Sequence, residues 1–359
     1  MGYSRPTPLE APDVWDFIQI VHKLLYNPHI RKLAAIGKWR VMEIKFFIRG
    51  FEPTQIMFDS VHELIASIAS DFSLSLDSIE KIFISDKQQY GEVLRMIDPI
   101  ASYTNQGQVV GVGKTISRIS EERTIAHTLA FQDFVIDKAL AGWKSGKHYD
   151  SFLLDQQQCF YVIVHEIGHC LDNEKRKDLY TPPLLGNTGC FRIKEIGDYY
   201  YSILKSEFSA CALTAKYMTS ELLQTEIDNF IANVSDTLFQ INLSKESYKN
   251  SGQGSELRDL AYQVVGGSWF ILIQYSKIIG YSVENQTTIE NIFSEMRTKL
   301  TLDGLDIIGH FEQGLRQTWH FYPIWIPEFH KFCFDCWRSL CLKNGYRFEE
   351  GPDGDSIYF

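Results

Sequence analysis

Apolar positions along this chain recur with two periods, and the period assigns the elements. Between 38 and 51 they alternate over Trp39, Val41, Ile44, Phe46 and Ile48, which predicts a strand. Val14 to Tyr26 is amphipathic at helical spacing, and so is Thr54 to Phe72, entered after Pro53. Ile79 to Ser85 predicts a strand and Tyr90 to Ile97 a helical turn. Residues 101–112 read as two strands around a Gly-containing turn, 126–140 as a helical segment and 155–173 as a long helix. Pro182, Pro183, Gly186, Gly189 and Gly197 make 178–198 loop-rich. Beyond it the pattern is helical at 207–219, 221–241, 256–280, 284–300 and 328–343, and Ser244 to Ser255, rich in Ser, Asn and Gly, predicts a linker. Strands and helices followed by a run of helices define an α+β class.

The helix at 155–173 carries the chemistry. Behind the apolar run Tyr161 to Val164 stands His165-Glu166-Ile167-Gly168-His169. Residues four apart on a helix sit about one turn apart, so the two imidazoles converge on one tetrahedral metal. Glu166, on the same helix, is placed to take a proton from a metal-bound water. Gly168 inside the helix costs propensity, which implies close packing there. A catalytic zinc needs a third protein ligand. The favoured candidate is Glu207, in a segment whose Phe208, Cys211, Ala212 and Ala215 present a small apolar surface to a neighbouring helix. Asp172, Glu174, Glu195 and Asp198 are the alternatives, and Asp172 suits orienting a ligand histidine or capping the helix end better than binding metal.

His-Glu-Ile-Gly-His-Cys-Leu-Asp followed by Ser-Glu-Phe-Ser-Ala resembles the zinc metallopeptidases with two histidines and a glutamate as ligands. Within that group it is most similar to the anthrax lethal factor and titration-factor peptidases. A weaker resemblance is to the peptidases that cleave phage-type repressors. The likeness covers roughly residues 80–220. It implies a zincin-like catalytic domain with a small mixed sheet, zinc held by His165, His169 and Glu207, and Glu166 as general base. It also implies a tyrosine about two turns before the third ligand that holds the developing oxyanion. Of Tyr199, Tyr200 and Tyr201, Tyr200 fits best, and His320 is an alternative donor. Around the catalytic domain, expected at 76–243, the hydrophobic pattern predicts an N-terminal α/β region at 1–75 packing on it and a helical region at 256–359. The implied activity is endopeptidase cleavage of a protein or peptide substrate at few sites. Two alternatives are a non-catalytic scaffold, against which an intact Glu166 argues, and a zinc hydrolase of a small amide.

Composition narrows the field. The chain has 359 residues, 45% of them hydrophobic and 22% charged, which suits a folded protein. Its net charge is −10, with no basic patch interleaved with aromatics, so no nucleic-acid partner is expected. No apolar stretch is long enough to span a bilayer and the N-terminus lacks a signal-peptide core, so no membrane association is expected. Seven cysteines, an odd number in a large chain, point to reduced thiols in the cytoplasm. Cys333-Phe334-Asp335-Cys336 lacks a second pair to complete a zinc site and reads as buried helix thiols. Gly111-Val112-Gly113-Lys114-Thr115 ends like a phosphate-binding loop, but the first glycine of that pattern is replaced by Gln108 and the apolar alternation reads as a strand. By the same resemblance to zinc peptidases, the hairpin at 101–112 is the expected sheet edge for an extended substrate. His310, His320 and His330 are scattered singles, and the aromatic run Thr318 to Trp325 reads as core around a bend.

Overall fold

The computed structural model describes residues 42–99, 105–106, 109–120, 124–179, 193–283, 294, 298, 307–351 and 356–358. The expected helix at 14–26, most of the loop at 178–198 and nearly all of the expected helix at 284–300 lie outside them. Met42–Phe359 forms one compact unit, so the expected divisions at 75/76 and between 243 and 256 both fall inside it.

The fold is mixed α/β, as the α+β expectation requires. Four strands make the main sheet: β1 (Glu43–Phe47), β2 (Ile79–Ser85), β5 (Gly113–Ile119) and β6 (Ile125–Gln132), in the order β1-β2-β6-β5. β1 and β6 flank β2 in parallel, and β5 closes the edge antiparallel to β6. Side-chain alternation splits the sheet into two buried faces. Ile82, Ile84, Leu129 and Phe131 face helices α1 (Gln55–Asp71), α3 (Asp133–Trp143) and α4 (Leu154–Arg176) in the main core. Phe83 and Ala130 face the other way, under Tyr90, Val93 and Leu94 of α2 (Tyr90–Ile97).

Two strand expectations need correction. The segment expected as helix from 126 is the central strand β6, and α3 begins only at Asp133. Because β6 is paired on both sides and covered on both faces, it has no polar face and its apolar run carries no period to read. The expected edge hairpin is only the short ladder β3 (Asn105–Gln106) with β4 (Val109–Val110), separate from the main sheet. The sheet edge is β5, which contains the loop-like Gly113-Lys114-Thr115.

The helical part is α5 (Ile193–Leu213), α6 (Ser220–Ser251), α7 (Gly254–Tyr281), α8 (Ile307–Trp319) and α9 (Pro327–Lys343), with a small ladder of β7 (Arg347–Glu349) and β8 (Ser356–Tyr358). Thr219 caps α6 through Leu222 N–H, and the expected linker from Ser244 is that helix continued to Ser251. Gly252, at φ 65°, ends it in the left-handed region that glycine adopts without strain. On α7, Trp269 is fully buried between the stacked rings of Tyr200 and Trp337, with centroids at 6.2 and 5.9 Å. The aromatic run after α8 braces α5 and α4. Trp319 and Trp325 meet Phe208 edge-on, and the Tyr322 hydroxyl donates to Asp172 at 3.0 Å.

One buried histidine in this core sets a pH response. His127 on β6 has no exposed surface, and its Nδ1 lies 2.7 Å from the Ser117 hydroxyl, which accepts in turn from Asn173 at 2.9 Å. Burial pushes its pKa down to about 4; Glu174, 3.8 Å from Nε2 and partly exposed, does not offset this. Below the unfolded value of about 6.5 the unfolded chain takes up a proton that the folded chain refuses, so stability present above pH 6.5 is lost as pH falls toward 4. Going from pH 7 to pH 5 should cost about 2 kcal/mol through this residue. Urea unfolding at both pH values should show a correspondingly smaller loss for His127→Gln; an equal loss in both proteins would exclude His127 as the source.

Candidate metal centre

The site is assembled by close helix contacts. A Cβ built on Gly168 would lie 2.7 Å from the carbonyl oxygen of Ala210, so α4 and α5 touch backbone to backbone there. A Cβ on Gly280 would lie 2.7 Å from the carbonyl oxygen of Phe208, so α7 presses on α5 from another side. Tyr161 and Thr214 tie α4 to α5 through a 3.0 Å hydroxyl pair. One turn before Ala210, Glu207 therefore faces the turn of α4 that holds His165 and His169.

The three expected ligands converge. His165 Nε2 and His169 Nε2 are 3.2 Å apart, and the Glu207 carboxylate oxygens lie 3.3 Å from His165 Nε2 and 3.6 Å from His169 Nε2. A tetrahedral zinc with bonds of about 2.0–2.1 Å has ligand atoms about 3.3–3.4 Å apart, so the individual contacts are of the right size, with a different Glu207 oxygen facing each imidazole. The other ring nitrogens are held from behind, His169 Nδ1 by the Ser206 hydroxyl at 3.0 Å and His165 Nδ1 by the Cys211 thiol at 3.6 Å. Such partners fix ring orientation and leave both Nε2 atoms facing the site. Burial lowers the pKa of His169 in spite of Glu207, Glu166 and Asp172. Burial thus disfavours the imidazolium form of His169, and neutral imidazole is the form that binds metal. For Glu207 burial works the other way, but the His165 hydrogen bond and the charges of His169 and Lys277 hold its carboxyl well below the usual range. Among the described residues this is the one group of three His, Cys, Asp or Glu side chains arranged to hold a metal ion.

Glu166 is 6% exposed and sits against the sheet edge. Its Oε2 accepts from the Thr115 hydroxyl at 2.7 Å, and a Cβ on Gly113 would come within 3.2 Å of its Oε1. Burial raises its pKa, against the pull of His169, Thr115 and Lys114. A raised carboxylate pKa suits proton transfer near neutrality. These side chains open into a cavity of about 720 Å³. β5, α4 and α5 form one wall, and one stripe each of α6 (Glu226, Asn229) and α7 (Phe270, Gln274, Lys277) forms the other.

Tyr200 lines the same cavity, two turns before Glu207, but its ring stacks on Trp269 and its hydroxyl lies against Gly266. Three of the four rival acids are engaged elsewhere. Asp172 is buried and bound by Arg176 and Tyr322, Asp198 takes His330 at 2.7 Å, and Glu174 faces His127. His310 and His320 are exposed. Cys333, Cys336 and Cys341 are buried free thiols, as expected. Two site residues escaped the sequence reading. Thr115 lay inside the apparent phosphate loop. Lys277 stands in the apolar stretch Trp269 to Gly280, and a lysine there was the available signal. Comparison with protein-family models, with curated proteins and with solved structures finds no match.

The Gly168 contact can be tested by sign. Helix propensity alone favours Gly168→Ala by about 1 kcal/mol. The added Cβ instead meets the Ala210 carbonyl, and overpacking costs about 1–3 kcal/mol. Urea unfolding should show net destabilisation; a stabilised variant would mean the two helices are not in backbone contact.

Proposed function

We propose that this chain is a zinc-dependent hydrolase of peptide bonds, an endopeptidase with a zincin-like catalytic arrangement. The observation that carries this reading is the triangle of His165, His169 and Glu207 with the buried Glu166 beside it at the mouth of one cavity. A zinc ion held there polarises a carbonyl and lowers the pKa of a coordinated water toward neutrality. Glu166 accepts the proton of the attacking water and delivers it to the leaving amine. Thr115 pins Oε2, which leaves Oε1 free of hydrogen bonds among the described residues and available for that proton. Tyr200 is close enough to the cavity to contact substrate, but its packing against Trp269 and Gly266 makes it a wall residue first.

The outer side of β5 is unpaired among the described residues, and Thr115 on that strand touches Glu166. An extended peptide added to this edge would pass the catalytic carboxylate with its main chain hydrogen-bonded. The roofing helices α6 and α7 favour a second reading, a small amide, because about 720 Å³ falls within the range of small-molecule pockets. The described cysteines are free and buried, which suits a reducing compartment such as the cytoplasm. No described helix is long and apolar enough to cross a membrane.

Zinc per chain, measured on wild type, Glu207→Ala and Glu166→Gln, tests the site. Wild type should hold about one zinc, Glu207→Ala clearly less, and Glu166→Gln as much as wild type. Incubation with a diverse peptide library should yield new termini from wild type and about 100- to 10,000-fold slower release from Glu166→Gln, the range expected for loss of the general base. A wild type that stays zinc-free after reconstitution would falsify the hydrolase reading. A zinc-loaded wild type that cleaves small acyl amides but no peptide would select the second reading.

A further inference from the structure

We infer that Lys277 supplies the cation that holds the tetrahedral oxyanion, in the place the sequence assigned to Tyr200. This deepens the hydrolase reading and rests on it. Lys277 stands on the face of α7 opposite the metal ligands, and its side chain, 19% exposed, opens into the cavity. Its Nζ lies 4.0 Å from Glu207 Oε2, beyond hydrogen-bonding distance, and that oxygen is 3.3 Å from His165 Nε2. The ammonium therefore hangs within one atom's width of the ligand triangle, with three donors and no hydrogen bond among the described residues. Its ion pair with Glu207 is too long to be a hydrogen bond, so its N–H donors remain available to an oxygen placed in the cavity. Lys114, the other cavity lysine, is exposed and lies on the strand side. Gly280, one turn on, allows α7 to lie close enough to α5 for Lys277 to reach the site.

The step balances without any further reactant. The water oxygen bonds to the carbonyl carbon, the π pair moves onto the carbonyl oxygen, and the water proton goes to Glu166. The oxyanion is then met by the Lys277 ammonium, which keeps its own protons throughout. On collapse the C=O bond re-forms, the C–N bond breaks with its pair on nitrogen, and nitrogen takes the proton from Glu166. A preorganised donor at the developing charge acts mainly in the transition state, so Lys277 contributes to turnover more than to substrate affinity.

The substrate being unidentified, the probe is inorganic phosphate, a tetrahedral oxyanion, against imidazole, a neutral metal ligand. Both are titrated into the full-length cobalt-substituted protein by its visible spectrum. Lys277→Met should weaken phosphate about 10- to 100-fold, the loss expected for one charge-assisted hydrogen bond. Imidazole affinity, cobalt content and the ligand-free spectrum should stay as in wild type, and Lys277→Arg should recover most of the phosphate affinity. Lys277→Gln replaces the Met variant if that one fails to fold. Equal phosphate affinity in wild type and Lys277→Met overturns the proposal, as does a cobalt-loaded wild type that takes no phosphate. Loss of cobalt or a changed ligand-free spectrum in Lys277→Met assigns the lysine to positioning Glu207 and also overturns it. A wild type that binds no cobalt at all removes the metal centre itself, and this inference with it.

Discussion

The backbone contact between α4 and α5 at Gly168 and Ala210 governs the rest of the site. A helix that carries two histidines at a four-residue spacing holds two corners of a metal site by itself, but the third corner has to come from elsewhere in the chain. With ordinary side chains between them, two helices pack 8–10 Å apart, and a glutamate on the second would approach at an angle set by whatever lies between. Removing the side chain at Gly168 brings the axes together and leaves little freedom in register. Glu207 then meets both imidazoles with one carboxylate oxygen each, at 3.3 and 3.6 Å. Gly280 repeats the device from α7, so that α5 is clasped between two helices through glycine contacts. The functional groups of both neighbours, Glu166 on one side and Lys277 on the other, reach the same small space.

Electrostatics follow from that compression. Three carboxylates, two imidazoles and two ammonium groups line one cavity. Burial penalises each charged form, and neighbours decide the outcome. Glu166 goes up because burial outweighs its attractive partners, while Glu207 goes down because the His165 hydrogen bond and electrostatic attraction to His169 and Lys277 outweigh burial. Two glutamates on neighbouring helices thus end up with opposite character, one suited to exchanging a proton and the other to staying an anion. For Lys277 burial works against the charge, but Glu207 and the other acidic groups around it outweigh that and raise its pKa.

What could be read from the sequence divides along the same physical line. Local spacing was legible: the helix at 154–176, its two histidines, Glu166, and the small residues that let α5 come close all follow from periods of four and from composition. Most helices and the strands β1 and β2 were legible for the same reason, since each keeps a regular apolar face. Contacts between distant segments were not. β6 is covered on every side, so no polar positions mark its pleat, and it read as part of α3. The strand character of β5 was legible at its start, but its place at the sheet edge against α4, allowed by Gly113, was not. The end of α6 read as a linker because its Ser, Asn and Lys residues face solvent, where composition says little about the backbone. Lys277 is marked in the sequence only as a lysine within an apolar stretch, and its place becomes clear once α7 is laid beside α5.

The aromatic brace also sets an order of events. Phe208, next to Glu207, is gripped by Trp319 and Trp325, and the last turn of α4 is tied through Asp172 to Tyr322. The ligands and Lys277 span 165 to 277 in the sequence, but the groups that hold α4 and α5 in place come later still. A chain emerging from the ribosome N-terminus first has its two histidines exposed long before these supports exist. Until the segment around 319–325 has emerged, α5 has no aromatic wall to lean on, and the three ligand atoms are not yet held at a fixed distance. The geometry of the cluster is therefore timed by the chain's own direction of synthesis: His165, His169 and Glu207 are made early but fixed in place late.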